Sequence, residues 1–185
     1  MNTLNFEEIQ TNQEIIQIAR DNLEQGPWDY LVGGAESETT MRRNRLAFDK
    51  LAFKPRVLID TSSVDTSTEI LGVKLRIPVL LAPIGSQQHF TKDGASVATR
   101  AAHKFNVFDV ISSVSEPDLE TIAKAAPNPK IYQLYIHGDE KWTQDMVSRA
   151  VEAEYKALCI TVDTPRLSRR ERPMLSKYDA RSTRI

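Results

Sequence analysis

A single cysteine, Cys159, stands among 185 residues, which rules out an intramolecular disulfide. It sits in an apolar run, Ala157-Leu158-Cys159-Ile160, and reads as inert core. An excess of either charge is also lacking. The formal net charge is −1, which offers no reason for a nucleic-acid or membrane-surface partner. No apolar run is long enough to span a bilayer, and the opening MNTLNFEEIQ has no charged-then-apolar signal pattern. A soluble, cytoplasmic protein is the expectation. Only three histidines occur, His89, His103 and His137, at spacings that do not converge, so no metal site is expected. No strand-like run is followed by Gly-x-Gly-x-x-Gly and no P-loop pattern is present, so both of those phosphate-binding fingerprints fail.

Hydrophobic residues make up 41% of the chain, ordinary usage for one domain with a core of its own. From residue 77 a rhythm appears. Val79–Ala82, Val107–Ser112, Lys130–Leu134 and Ala157–Val162 read as short strands whose starts are 28, 23 and 27 residues apart. Helical patterns lie between them. Val97, Ala98, Ala101, Ala102 and Phe105 share one face behind Asp93 as a cap. Leu119, Ile122, Ala123 and Ala126 share a second, with Ser115 and Pro117 suited to its first turn. Trp142, Met146, Val147, Ala150 and Val151 share a third. This alternation is the βα signature of a parallel sheet, either half of an eight-stranded barrel or a small doubly wound sheet.

The first 76 residues follow another pattern. Thr11 and Glu14 have capping-box spacing ahead of a helix that Gly26-Pro27 should stop. Trp28 to Leu31 then begins an apolar-aromatic turn ending in Gly33-Gly34. Residues 38–48 look helical, with Met41, Leu46 and Phe48 as burial candidates, and Phe53 to Thr68 reads as irregular.

The polar residues favour the barrel. Pro83-Ile84-Gly85-Ser86, Ser112-Ser113, Gln133-Leu134-Tyr135 and Thr161-Val162-Asp163 all lie at strand C-terminal ends, so they point to one rim, where barrel enzymes keep their sites. Neutral hydrogen-bonders of this kind suit a flat heteroaromatic ligand better than a metal. The fourth strand runs on into Arg166, Arg169, Arg170 and Arg172. From Arg166 onward there are seven basic and two acidic residues. Such arginines suit an anion, most simply a carboxylate met by a two-pronged guanidinium. On this segment alone a solvated loop explains them equally well.

Several separated motifs carry a resemblance. Tyr30 before Gly33-Gly34-Ala35-Glu36, Pro55-Arg56, Ala82-Pro83, Gln133-Leu134-Tyr135 and Thr161-Val162-Asp163-Thr164-Pro165 with Arg169-Arg170 resemble the FMN-dependent 2-hydroxy-acid oxidases and dehydrogenases. The resemblance runs in order from about residue 12 to about residue 172. It implies an α/β fold: an N-terminal helical and irregular segment (1–76), the first four βα units of a (β/α)8 TIM barrel (77–172) and an unmatched tail (173–185). FMN is the implied cofactor, and the implied reaction oxidises a small (S)-2-hydroxy acid to the 2-oxo acid by hydride transfer to flavin N5. Backbone at Pro83, Ile84 and Gly85 would lie near N5, and Ser112, Gln133 and Thr161 would bond the pyrimidine edge. Tyr30 and Tyr135 would face the substrate and Arg170 would hold its carboxylate, with Arg169 in a structural ion pair.

The chain departs from the family pattern in three places. Ile84 stands where many members have threonine, and Val114 where some have a bulky tryptophan. The family's general-base histidine aligns with none of the three histidines, so no catalytic residue is expected in this chain and turnover by it alone is doubtful. The expectation is an N-terminal half, truncated or split. Its open strand edges, with Val79, Leu81 and Ile160 facing no opposite wall, call for a separate C-terminal half or a second copy of the chain as partner. A non-catalytic flavin-binding or assembly half-barrel is the alternative.

Overall fold

The computed structural model describes residues 8–164 and 166–180. The elements in chain order are α1 (Asn12–Asn22), α2 (Gln25–Val32), α3 (Thr39–Asp49), β1 (Thr68–Ile70), β2 (Val73–Leu75), α4 (Ser96–Phe105), β3 (Asp109–Ser112), α5 (Leu119–Ala125), β4 (Lys130–Leu134), α6 (Glu140–Glu152), β5 (Ala157–Ile160) and α7 (Glu171–Leu175). They fall into two compact units, one of Met1–Phe53 with Leu167–Ile185 and one of Lys54–Arg166.

In the first unit, α1 begins where its capping box predicts. Thr11 Oγ1 accepts from Glu14 N, and the Glu14 carboxylate accepts from Thr11 N at 2.7 Å. The helix ends at Leu23, before Gly26-Pro27, and that pair lies in the first turn of α2. Proline is tolerated there because first-turn amides have no intrahelical acceptor in any case. Trp28 to Leu31, expected as a turn, is therefore the body of α2. Met41, Leu46 and Phe48 on α3 are 40%, 49% and 73% exposed, so their expected burial is not found. The short α7 packs on α2.

The second unit holds a parallel sheet in the order β3-β4-β5, with Ser112 beside Gln133 and Gln133 beside Cys159. β4 occupies the residues its apolar run indicates. The run 79–82, expected as a strand, contributes one parallel bridge, Leu81 to Asp109. Leu81 N–H donates to Phe108 at 3.0 Å, and Val110 N–H donates to Leu81 at 3.0 Å. Pro78 and Pro83 bracket this run and lack N–H groups, which leaves little ladder to extend. An antiparallel hairpin, β1-β2, turns through Leu71 and Gly72, both at positive φ (51° and 72°).

Helices α5 and α6 cover the sheet. Ile111, Leu119, Ile122, Tyr132, Leu134 and Ala150 form the core, with Trp142, Met146 and Val147 packed against it. Asp118 caps α5 by accepting from Thr121 N at 2.7 Å, and Asp139 caps α6 by accepting from Trp142 N at 2.9 Å. Ser115 and Pro117 thus precede the α5 cap. Asp93 does not cap α4, which starts after Ala95; it pairs instead with Arg100 at 2.6 Å. On α4, Thr99 and Ala102 are buried while Val97 and Phe105 are 41% and 51% exposed, so the buried face is rotated from the apolar one. Cys159, expected in the core, is exposed, because β5 is an edge strand of the described sheet.

At the N-terminal ends of the strands lies a buried polar cluster. The Thr99 hydroxyl donates to Asp109 at 2.6 Å, and the Lys130 ammonium donates to the Asn128 carbonyl at 2.9 Å. Burial raises the Asp109 carboxyl and lowers the Lys130 ammonium from their ordinary values. These partners make the cluster a structural anchor at the end of the sheet opposite the rim. Among the described residues no helix is long and apolar enough to cross a membrane.

Candidate functional site

The rim of the second unit is built by three neighbouring strand ends. Ser112 closes β3 and is buried, and Gln133 lies beside it in β4 at 2% exposure. The Gln133 side-chain amide donates to Thr161 Oγ1 at 2.7 Å, which ties the ends of β4 and β5. Its carbonyl oxygen, Oε1, is buried and has no hydrogen-bond partner among the described residues. An acceptor left in that state costs about 1–3 kcal/mol, so a native site that carries one calls for an explanation.

The loop after Leu81 is stapled to the turn after β3. Ser86 N–H donates to the Val114 carbonyl at 3.1 Å, and the Ser115 hydroxyl donates to the Ile84 carbonyl at 3.0 Å. Gly85 allows this approach, since a Cβ there would lie 2.6 Å from Val114 Cγ2. Pro83 and Ile84 remain exposed, which leaves their backbone accessible beside the rim. Tyr135 follows β4, with its N–H held by Ser113 Oγ at 3.0 Å and its ring 5.8 Å from that of His137. A cavity of about 170 Å³ nearby is lined by Ser112, Tyr132 and Arg149 among others, but not by Gln133 or Thr161. Arg149 there is already held by Glu120 at 2.7 and 3.0 Å.

In the first unit the arginines sort themselves by partner. Arg169 pairs with Glu36 at 3.3 Å and Glu171 at 3.2 Å, the structural role expected of it. Arg172 grips the Glu38 carboxylate with two donors, one of them at 2.7 Å. Arg170 has no carboxylate partner among the described residues. Its guanidinium carbon lies 5.2 Å from the centre of the Tyr30 ring, and Nη1 donates to the Tyr30 carbonyl at 3.4 Å. The structure thus brings Tyr30 and Arg170 together in this unit. In the other unit it brings together Ser112, Gln133 and Thr161.

The Arg172 hydrogen bonds, followed by the Gly34 N–H, hold the Glu38 carboxyl at about 2 against an ordinary 4.5. A carboxyl depressed on folding contributes stability above its unfolded value and loses it as pH falls through the folded one. The tie between the 33–38 turn and α7 is therefore expected to hold at neutral pH and to loosen as pH drops from 4.5 toward 2. The Gly34 amide resonance, whose N–H donates to Glu38 Oε1 at 3.2 Å, reports it. A resonance unmoved over that range would remove the assigned pairing.

Sequence reasoning left two features unassigned, Glu38 as the mate of Arg172 and Tyr178 against Tyr30 (6.1 Å between ring centres). A lone aromatic after a short polar stretch was the one available signal for Tyr178.

The FMN-dependent dehydrogenase family model matches residues 19–184, and the chain belongs to that family. Glycolate oxidase 1 of Zea mays is 37% identical over 171 residues, covering 92% of this chain and 46% of that protein. Glycolate oxidase of Spinacia oleracea is 36% identical over the same length. Mandelate oxidase with benzoyl-formic acid superposes with a TM-score of 0.85 at 34% identity, covering 90% of this chain and 50% of that one. A mandelate oxidase mutant with the C4a-OH-FMN adduct gives 0.84 at 33%. The chain spans about half the length of the curated relatives it matches.

Proposed function

We propose that this chain carries part of the flavin cradle and one substrate clamp of an FMN-dependent enzyme that oxidises a small (S)-2-hydroxy acid to the 2-oxo acid, on part of a (β/α)8 barrel. The observation that carries the reading is the orphaned Gln133 Oε1, buried at a rim between Ser112 and Thr161. The donor set fits a flavin edge, which offers N–H and carbonyl groups to an amide and two hydroxyls. FMN, when bound, supplies the acceptor for the hydrogen that leaves the substrate Cα as hydride. Ser112, Gln133 and Thr161 would bind and orient the ring's pyrimidine edge, and the backbone of Pro83, Ile84 and Gly85 would lie against it. Arg170 would hold the substrate carboxylate, and Tyr30 and Tyr135 would face the substrate. No proton-abstracting base is assigned among His89, His103 and His137; His103, for one, lies exposed on α4.

The reading is tested by adding FMN to the purified chain and following flavin fluorescence and absorbance. Glycolate, L-lactate and mandelate are then offered with an artificial electron acceptor. Saturable FMN binding without turnover is the expected result. Absence of any FMN binding would remove the cradle, and turnover would require a base among the histidines.

A further inference from the structure

We propose that Tyr178 is a positioning residue for the carboxylate clamp, the back layer of a stack in which its ring supports Tyr30 and Tyr30 presents the guanidinium of Arg170. The inference rests on the reading of Arg170 as a carboxylate ligand. It gives a role to a tail that carried none in the sequence.

The three groups form a series. Arg170 lies 5.2 Å from the centre of the Tyr30 ring, and the Tyr30 and Tyr178 ring centres are 6.1 Å apart with planes tilted by 54°. Two devices hold Tyr178 in that place. After α7 the chain reverses through Lys177 at φ 55°, with Lys177 N–H donating to Met174 at 3.1 Å and Tyr178 N–H to Pro173 at 2.8 Å. Pro173 itself is buried. The Tyr178 ring also rests on Gly26, one turn before Tyr30 on α2, where an added Cβ would lie 2.6 Å from Cδ2. Only a residue without a side chain admits the ring so closely.

The consequence for Arg170 is orientation. A guanidinium has five N–H donors, and that of Arg170 lies over the Tyr30 ring with no carboxylate partner among the described residues. Among the described residues one donation is made, to the Tyr30 carbonyl at 3.4 Å. The fork that meets a carboxylate two-pronged is left over, and the stack limits the orientations it samples before ligand arrives. Prior ordering of this kind lowers the entropy lost on binding.

The test uses the full 185-residue chain, with oxalate as probe and the Arg170 Nε–H proton resonance as reporter. In wild type this proton is expected to show a ring-current displacement without ligand and a saturable shift with oxalate. Tyr178→Phe keeps the ring and should keep the ring-current displacement of Arg170. Tyr178→Leu should relax the ring-current displacement and weaken oxalate about threefold to tenfold, the scale of one aromatic contact. Gly26→Ala pushes on the same ring and should act in the same direction, which covers the case in which Tyr178→Leu fails to fold. An unmoved Arg170 resonance in both variants overturns the stack. A moved resonance with unchanged oxalate affinity overturns the positioning role. No oxalate response in wild type, with the ring-current displacement intact, overturns the carboxylate reading of Arg170 and the positioning role with it, while the stack remains.

Discussion

Gln133→Leu is expected to weaken FMN binding about tenfold to a hundredfold, or ~1.5–3 kcal/mol, while costing the flavin-free chain little or no stability. The two effects separate because of how Gln133 is satisfied. Its amide N–H₂ is bonded to Thr161 at 2.7 Å, but its buried carbonyl has no partner. Leucine forfeits the Thr161 bond, worth about 1 kcal/mol, and removes an orphaned acceptor that costs about 1–3 kcal/mol. In the flavin complex the balance reverses, since the ring edge that Oε1 would meet loses its partner. Flavin fluorescence titration and urea unfolding measure the two quantities on the same preparations. Unaltered FMN affinity with an unshifted flavin spectrum would count against Gln133 as a flavin ligand. A large loss of apo stability would show that Oε1 is satisfied in solution.

Arg170→Lys should lower oxalate affinity by about tenfold to a hundredfold, although it keeps the charge. The reason lies in the sorting of the arginines. Arg169 and Arg172 are taken up by Glu36, Glu171 and Glu38, so their cations are compensated inside the unit. Arg170 meets an aromatic face and a backbone carbonyl instead. Lysine carries a point charge on a flexible stem, with no planar fork and a weaker match to the ring. Arg169→Gln is the control and should leave oxalate affinity unchanged. Calorimetry or NMR titration of the three chains decides it. An Arg170→Lys chain that binds oxalate as wild type does would move the anion site to Arg166 or Arg169.

β4 was legible because its strand-like run starts just after Pro129 and gives way within a few residues to Gly138-Asp139. The α1 cap was legible because Thr11 and Glu14 reach each other over three residues. The run 79–82 looked as strand-like as β4 by composition, yet it makes one bridge, because pairing depends on donors that its flanking prolines remove. The apolar faces of α3 and α4 were legible as faces, but their burial was not: Phe48 and Phe105 lie 73% and 51% exposed. Periodicity states which residues share a side and is silent about what covers it. The nearness of Ser112, Gln133 and Thr161 was legible because each lies at the C-terminal end of a strand-like run, and a parallel register sets Ser112 and Gln133 side by side. The unpaired state of Gln133 Oε1 was beyond any pattern, since it depends on every atom around it.

Local rules thus determined the order of strands and helices, the α1 cap, β4 and the family motifs, because those interactions close within a few residues or repeat with the period of a helix or strand. Tertiary structure alone decided that, of Arg169, Arg170 and Arg172, Arg170 has no carboxylate partner among the described residues. Glu36 reaches Arg169 across 133 residues of sequence, Glu38 reaches Arg172 across 134, and Tyr30 meets Arg170 across 140. It also set Tyr178 behind Tyr30. Contacts over such separations are made by the closing of the chain, in which each side chain competes for whatever neighbours the packing delivers, and no spacing in the sequence encodes the outcome.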